Sequence, residues 1–443
     1  MKTVSFYTLG CRLNQSETVV IERSFAERGY RVVDVRQPAD VAVINTCTVT
    51  ERGEADTRKL LHRLRRINPR VRVALIGCQA QIQKEALARW PNVCWVVGNA
   101  RKMDLVSLIE EDGSTTPRVV TPTIARQRFT VPGAGVDPRH TRANLKIQDG
   151  CDFFCSFCEI PYARGRARSR VFEDILREAR ALAGAGHQEV VLTGVNIATY
   201  RDNGRDIVDI VEALEQIAPL KRIRISSVEP TTIPWRLVRK MSRAGKLCRY
   251  LHIPLQSGSA TVLRAMKRRY RPGEFADFIR KVAAEVPEIC LGTDVIVGFP
   301  AEDDKAFAET LRFLSEQPLH YAHVFRYSPR RLARSPSGED HPARHVIQAR
   351  AGQIRAISAR KKREFYRRFV GTVRRVLFEQ RKKDHWTGLT DNYVRVNVKT
   401  DQPLSNTFRD VRLDAVDDQN EVWGTLRADR RNQGKGWPSD DVQ

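Results

Sequence analysis

The chain has 443 residues, of which 41% are hydrophobic, so it is long enough to form about two to four domains with real cores. Its net charge of +24 favours a polyanionic partner such as a nucleic acid, although an Arg-rich genome would also raise the charge. The nine Cys residues are grouped and odd in number, which excludes a disulfide framework and favours metal binding or catalysis. No run of 18 apolar residues is present, so we expect no membrane-spanning helix.

Residues 1–125 alternate short apolar runs with helical patterns, which predicts an open parallel α/β domain. We expect strands over residues 4–8, 41–44 and 71–76. The pair Asn14 and Glu17 is typical of a capping box, so it predicts the start of a helix that ends near Gly29.

One Cys follows each of these three predicted strands: Cys11, Cys47 and Cys78. Because the carboxyl ends of parallel strands meet at one edge of an open sheet, we expect the three thiols to come together. Such a site has three thiolates and leaves one metal position unfilled. The alternative is that all three are ordinary buried side chains. We expect a packing role for the scattered residues Cys94, Cys248 and Cys290.

Residues 111–140 are rich in Thr, Pro, Gly and Arg, which predicts a linker. Strand and helix patterns then alternate again over residues 137–365. We expect strands over residues 144–148, 189–193, 222–226, 250–254, 290–297 and 321–327. Six such strand–helix units fit a partial (β/α) barrel, whose chemistry lies at the carboxyl ends of the strands.

A loop with three thiols, Cys151, Cys155 and Cys158, follows the first strand of this second domain. Zinc would need a fourth ligand, and the loop contains no other Cys and no His. A 4Fe–4S cluster held by three Cys instead keeps one iron open for a substrate or cofactor. The spacing therefore favours a catalytic cluster over a structural zinc knuckle.

Residues 366–430 change to short alternating strands, which predicts a small antiparallel β-barrel. We expect its strands over residues 373–379, 388–398 and 422–426. Its basic residues are candidates for phosphate contacts with RNA: Arg374, Arg375, Arg381, Lys382 and Lys383. A basic helical stretch over residues 343–369 precedes the barrel. Residues 431–443 are rich in Gly, Pro and charged residues, which predicts a disordered tail.

The Cys spacing of the loop, with Phe157 before the third Cys, resembles that of the radical S-adenosylmethionine (SAM) enzymes. The stretch from Lys146 to Gly165 is similar to one branch of them, the methylthiotransferases. The resemblance covers about residues 2–428 and implies a (βα)6 barrel, two 4Fe–4S clusters and SAM. One cluster would cleave SAM to a 5′-deoxyadenosyl radical, and the cluster at the N-terminal Cys residues would supply sulfur. Residues 388–394 resemble the TRAM domain, an RNA-binding barrel.

The same resemblance assigns cofactor contacts to residues at the predicted strand ends. Asn196 and Ser227 would bind the ribose or methionine part of SAM. Gln256 and Asp294 would bind its other polar groups, and Phe157 would lie beside the cluster.

The substrate branch is indicated by the residues around two N-terminal Cys residues. The run from Asn45 to Thr50 is similar to the branch that acts on N6-threonylcarbamoyladenosine in tRNA, and the run from Gly77 to Gln81 agrees with a tRNA branch. The alternatives are methylthiotransferases for isopentenyladenosine or for a ribosomal protein, and a non-catalytic iron–sulfur RNA-binding protein.

The resemblance also implies the partners and location of the protein. They are the anticodon stem-loop of tRNA and an electron donor such as flavodoxin or ferredoxin. We expect a cytoplasmic monomer that does not bind a membrane.

Overall fold

The structure is a computed structural model and describes residues 1–48, 51–335 and 342–427. The predicted tail over residues 431–443 lies outside the described residues. No helix in the described part of the chain is long and apolar enough to cross a membrane.

The N-terminal domain is a six-stranded parallel sheet flanked by helices. Its elements are β1 (Thr3–Thr8), α1 (Arg12–Glu27), β2 (Arg31–Val32), β3 (Val41–Thr46), α2 (Glu51–Ile67), β4 (Arg72–Gly77), α3 (Cys78–Ala88), β5 (Val93–Val97), α4 (Leu105–Glu110) and β6 (Arg118–Val120). The strand order is β2-β1-β3-β4-β5-β6, with every pair parallel. The predicted open α/β domain is therefore confirmed.

Two local predictions for this domain were wrong. Helix α1 begins at Arg12, with Cys11 as its N-cap, so Asn14 and Glu17 lie inside the helix and are buried there. The predicted linker over residues 111–140 contains β6, which pairs with β5 and forms an edge of the sheet.

The central domain follows with six parallel strands and a small two-stranded antiparallel sheet. Its elements are β7 (Arg142–Lys146), β8 (Gln148–Asp149), α5 (Ile160–Arg164), β9 (Arg168–Ser169), α6 (Phe172–Gly184), β10 (Glu189–Thr193), α7 (Ile207–Glu215), β11 (Arg222–Ile225), α8 (Trp235–Ser242), β12 (Tyr250–His252), α9 (Ala260–Ala265), α10 (Pro272–Glu285), β13 (Cys290–Val297), α11 (Asp304–Glu316), β14 (Tyr321–Arg326) and α12 (Arg344–Arg367).

These strands form the predicted partial barrel. One parallel sheet has the order β11-β10-β7 and a second has the order β12-β13-β14. A parallel bridge between Ser227 and His252 joins the two sheets after β11. All six strands predicted from the sequence are present, and one large apolar core fills the domain.

The C-terminal barrel has five strands: β15 (Val373–Lys382), β16 (His385–Leu389), β17 (Arg395–Val398), β18 (Phe408–Val416) and β19 (Val422–Leu426). The barrel is closed in the order β15-β16-β17-β19-β18. The sequence predicted three strands, but the segment 388–398 is divided between β16 and β17, and β18 was missed. The barrel core is continuous with Tyr250 and Cys290 of the central domain, so Cys290 is a packing residue, as expected.

Candidate functional site

The three N-terminal Cys residues lie at the carboxyl ends of three adjacent strands. Cys11 follows β1, while Cys47 and Cys78 come directly after β3 and β4. Gly10 has φ +92°, and a Cβ there would lie 2.7 Å from the Sγ of Cys47. Only glycine allows this approach, which brings the loop of Cys11 against Cys47. The three strand ends therefore lie side by side at one edge of the sheet, and the common metal site of their thiols stays a prediction.

A buried group of charged side chains lies beside these Cys residues and joins the N-terminal domain to the central domain. Glu17 of α1 accepts hydrogen bonds from Lys102 at 2.5 Å and from Lys146 of β7 at 2.6 Å. Arg164 of α5 donates to Glu17 at 3.1 Å and to Asp149 at 3.0 Å. Burial would raise the pKa of Glu17, but the three cations outweigh it and hold that pKa well below its usual value.

This group contains more positive than negative charge. Lys102, Lys146 and Arg164 are three buried cations, and only the carboxylates of Glu17 and Asp149 are buried with them. Burial would lower the pKa of Arg164, but Cys78, Glu17, Asp149 and Cys11 together raise it well above its usual value. The Asn99 amide also donates to the Cys78 sulfur at 3.6 Å. A net positive charge beside these Cys residues would offset the negative charge of an iron–sulfur cluster that they hold.

The second set of thiols lies in the loop after β8. Burial raises the pKa of all three, to about 11 for Cys151 and to about 12 for Cys158. Such thiols release their protons when they bind a metal centre. In the described ranges no group of three His, Cys, Asp or Glu side chains fits a single metal ion. Three thiolates are enough to hold a 4Fe–4S cluster with one open iron, whereas a structural zinc site takes four ligands, so the residues of this loop fit a cluster better than zinc.

A buried arginine that the sequence analysis missed lies against this loop. Nη1 of Arg268 donates to the sulfur of Cys155 at 3.2 Å. The same guanidinium forms an ion pair with Glu229 and a hydrogen bond of 3.0 Å to the hydroxyl of Tyr270. Burial would lower the pKa of Arg268, but Tyr270, Glu229 and Cys155 raise it well above its usual value. Arg268 therefore holds a permanent positive charge at the sulfur.

Three cavities surround the two sets of thiols. A cavity of about 190 Å³ is lined by Cys158 and by Thr48, the residue after Cys47. A cavity of about 340 Å³ is lined by Cys151. A third, of about 410 Å³, lies between Cys11 and the strand ends of the central domain. Asp294 lines both the first and the third cavity, so these two are neighbours.

The structure distributes the predicted SAM contacts among these cavities. Phe157, Gln256 and Asp294 line the cavity beside Cys158. Asn196 lines the cavity beside Cys151, and Ser227 lines the cavity that contains Cys11. The five residues therefore all lie around the thiols but do not share one cavity.

Four residues that line these cavities each have a buried polar atom without a partner within the described ranges. They are Oγ1 of Thr48 and Nε of Arg330 beside Cys158, Nδ2 of Asn196 beside Cys151, and Oγ of Ser226 in the cavity of Cys11. Buried polar atoms are nearly always hydrogen-bonded in native proteins, so each of these atoms indicates a place for a ligand. This chemistry fits a polar cofactor or substrate such as SAM.

The predicted RNA contacts of the C-terminal barrel fall into two groups. Arg374 forms a double hydrogen bond with Glu288 of the central domain, at 2.7 and 2.6 Å, so its charge is used between domains. The other four side chains are exposed, and they are Arg375, Arg381, Lys382 and Lys383. Arg381 pairs with Asp401 at 3.1 Å, an exposed contact that costs little to exchange for a phosphate. The phosphate role of all five residues stays a prediction, and at Arg374 a phosphate would have to compete with Glu288.

The barrel docks on the central domain through the segment 388–394. Arg222 of β11 donates to the main-chain oxygen of Leu389 at 2.8 Å, and Arg224 donates to that of Asp391 at 2.9 Å. The ring of Tyr393 stacks on Tyr250, with their centroids 4.2 Å apart. Tyr393 also lines the cavity that contains Cys11. The barrel therefore forms part of the wall of the candidate site.

Comparison with known proteins agrees with this arrangement. The sequence profile of the Radical SAM superfamily matches residues 145–314, and that of the family described as "Uncharacterized protein family UPF0004" matches residues 3–98. The chain is 36% identical over 426 residues to the threonylcarbamoyladenosine tRNA methylthiotransferase MtaB of Bacillus subtilis (strain 168). That match covers 93% of this chain and 94% of the relative.

A second type of relative is nearly as similar. The chain is 31% identical over 430 residues to a tRNA-2-methylthio-N(6)-dimethylallyladenosine synthase of Methylobacillus flagellatus, covering 93% of this chain and 96% of that protein. Among solved structures, the radical S-adenosylmethionine methyltransferase TsrM from Kitasatospora setae matches with a TM-score of 0.55 and 16% identity, over 73% of this chain and 75% of that chain. The structural likeness supports the fold alone.

Proposed function

We propose that this chain, which belongs to the radical SAM methylthiotransferases in the threonylcarbamoyladenosine tRNA branch, adds a methylthio group to carbon 2 of N6-threonylcarbamoyladenosine beside the anticodon. As a member of this family, the chain is an enzyme that modifies tRNA. The finer identity of the nucleoside is the proposal.

The observation that carries the proposal is that a cavity lined by Cys158 of the loop adjoins a cavity lined by Cys11 of the N-terminal domain. Asp294 lines the cavity of Cys158 and also the cavity of Cys11. Inserting a methylthio group into an unactivated C–H bond requires one centre that removes hydrogen and one that delivers sulfur. The arrangement supports both tasks on a single substrate carbon.

The cofactors of this family are SAM and 4Fe–4S clusters. We assign one cluster to Cys151, Cys155 and Cys158. We assign the other to Cys11, Cys47 and Cys78. Bound there with SAM, these clusters supply radical formation at the first set and sulfur at the second. An external electron donor, such as a flavodoxin or ferredoxin, is part of the proposal.

The protein's own residues hold and orient these groups. Arg268 donates to Cys155 and keeps a positive charge at the ligand sulfur. Nδ2 of Asn196, which has no partner among the described residues, lies at the cavity of Cys151 and would donate a hydrogen bond to bound SAM. We further propose that Phe157, Gln256, Asp294 and Ser227 contact SAM or the target nucleoside.

A single substitution separates the two tasks. Cys47→Ala removes a ligand of the N-terminal site and leaves the loop of the central domain intact. We expect methylthiolation to fall below detection while reductive cleavage of SAM to 5′-deoxyadenosine continues. Both products are measured by mass spectrometry on anaerobically reconstituted protein. Loss of SAM cleavage in a folded variant that keeps about half of the iron, the share of one of two equal clusters, would contradict separate sites.

The nucleoside is tested with three anticodon stem-loop RNAs that differ at one position. The position carries N6-threonylcarbamoyladenosine, isopentenyladenosine or unmodified adenosine. We expect a methylthio product only from the first RNA. A product from the isopentenyl RNA alone would assign the chain to the other type of tRNA relative.

A further inference from the structure

Of these three nucleosides, only the proposed one has a charged group on its base. This group is the carboxylate of its threonine. Carbons 2 and 6 of a purine both flank N1, so the substituent on N6 and the reacting carbon lie on the same edge of the base. A site that selects this nucleoside needs a cation near the residues that deliver sulfur. The inference that follows rests on the proposed function.

The cavity of about 410 Å³ has the size of a small-molecule site and is built from all three domains. Cys11 and Arg12 of the N-terminal domain line one side. Ser226, directly after β11, and Asp294, within β13, line another. Tyr393 of the C-terminal barrel completes the wall.

Arg12 is the cation of this cavity without a counter-charge. No hydrogen bond or ion pair joins its guanidinium to any residue in the ranges that the structure describes. Its positive charge reaches the hydroxyl of Tyr250, where it lowers the pKa against the larger effect of burial. The carboxylate of Asp294 already hydrogen-bonds to Nε2 of His252 at 2.8 Å.

Two neighbouring features also favour an anion at Arg12. No side chain caps the N-terminus of α1, and no acidic residue lies in its first turn, so the positive end of this helix faces the loop of Cys11 without compensation. Oγ of Ser226, which lines the same cavity, is buried and has no partner among the described residues. A ligand carboxylate could accept hydrogen bonds from both side chains.

We propose that Arg12 determines substrate specificity by binding the threonine carboxylate of the target nucleoside, with Ser226 as a second hydrogen-bond donor. Arg12 is the residue next to Cys11, so the pairing places the base edge that carries carbon 2 beside the sulfur-delivering site. RNA phosphate is the other anion that a guanidinium would bind here, and the test separates the two.

The test compares two anticodon stem-loop RNAs: one carries N6-threonylcarbamoyladenosine, and in the other the threonine carboxylate is a neutral carboxamide. Dissociation constants are measured with the full-length, reconstituted protein. We expect the unmodified chain to prefer the carboxylate RNA by roughly 10- to 100-fold, the worth of a hydrogen bond to a charged group. Arg12→Gln removes most of this preference, and Arg12→Lys keeps part of it.

Arg65→Gln removes the same charge from the exposed face of α2 and is the matched control; it keeps the preference of the parent chain. Iron content shows that each variant retains its clusters. An Arg12→Gln variant that keeps the full preference, or that weakens both RNAs equally as loss of a phosphate contact would, overturns the inference. An Arg12-dependent preference in a protein that methylthiolates neither RNA would contradict the proposed function alone.

Discussion

Single residues in this chain carry roles that their sequence neighbours do not reveal. Asn14 and Glu17 have the spacing of a helix cap, yet both lie within α1 and bind Arg164 from the central domain. Both side chains pair with Arg164 and do not cap the helix, because the buried charge of Arg164 would otherwise have fewer hydrogen-bond partners. The helix instead begins at Arg12, which places a guanidinium beside Cys11.

At the residue scale we predict that Arg268→Gln lowers the reduction potential of the cluster assigned to the loop. The substitution removes a positive charge and a charged hydrogen bond from Cys155, and both stabilise the reduced, more negative cluster. It also leaves Glu229 without its cation, which costs up to about 3 kcal/mol of stability. A redox titration followed by electron paramagnetic resonance measures the potential.

Glu229→Gln is the control for this prediction, because it keeps Arg268 in place beside the sulfur. We expect its potential to stay close to that of the parent chain or to rise. Equal potentials for the parent and the Arg268→Gln variant would show that the guanidinium does not act on the cluster.

At the scale of elements, the loop after β8 depends on the backbone of Gly150. Its φ is +72°, and a Cβ there would lie 2.1 Å from the main-chain oxygen of Arg166. A main-chain oxygen cannot move without moving the backbone, so any larger residue at position 150 would force the loop to shift. The position of the three thiols is therefore tied to the path of the chain that follows α5.

We predict that Gly150→Ala loses the cluster of this loop, which is about half of the iron in a chain with two equal clusters. Gly204→Ala is a matched control, since Gly204 has φ +79° but no atom lies within 4 Å of the position that an added Cβ would take. The control carries only the strain of positive φ, about 1 kcal/mol, and keeps its iron. Iron analysis and thermal unfolding distinguish the two. Full iron in Gly150→Ala would contradict the prediction.

The best predicted elements have a strong apolar signal near at least one end. Strand β10 is buried throughout and β13 is buried at six of its eight residues, and the predicted bounds of both agree with the structure. Strand β6 has three half-buried residues at a sheet edge, and β18 alternates two buried residues, Val411 and Leu413, with charged ones, so neither has a clear pattern.

The candidate site divides in the same way. The Cys spacing is local and could be predicted, whereas Arg268 lies 113 positions from Cys155, and Arg164 lies 147 positions from Glu17. No local pattern relates residues so far apart. Only the three-dimensional structure identifies these partners.

At the scale of the whole molecule, part of the charge of +24 is exposed on the C-terminal barrel, at residues that the sequence predicts to contact RNA. Arg381, Lys382 and Lys383 are exposed at the end of β15 and the turn that follows it. We predict that replacing all three by Ala makes the slope of log affinity against log salt less negative by about two units, since each lost contact with single-stranded RNA removes about 0.7.

Affinity for the anticodon stem-loop is measured between roughly 50 and 200 mM salt, where such contacts matter. Replacing Arg280 and Lys281 by Ala removes two exposed charges from α10, and we expect it to leave the slope nearly unchanged. An unchanged slope in the triple variant would assign RNA capture to the other two domains.

The docking of the C-terminal barrel has a consequence for how this protein can evolve. Arg222 and Arg224 bind main-chain oxygens of the barrel, at Leu389, Arg375, Thr390 and Asp391, so they recognise a backbone shape common to any sequence with that turn. Mutations that alter the outer side chains of the barrel therefore leave these four hydrogen bonds in place. Substitutions can therefore accumulate on that surface while the wall of the candidate cavity stays where it is.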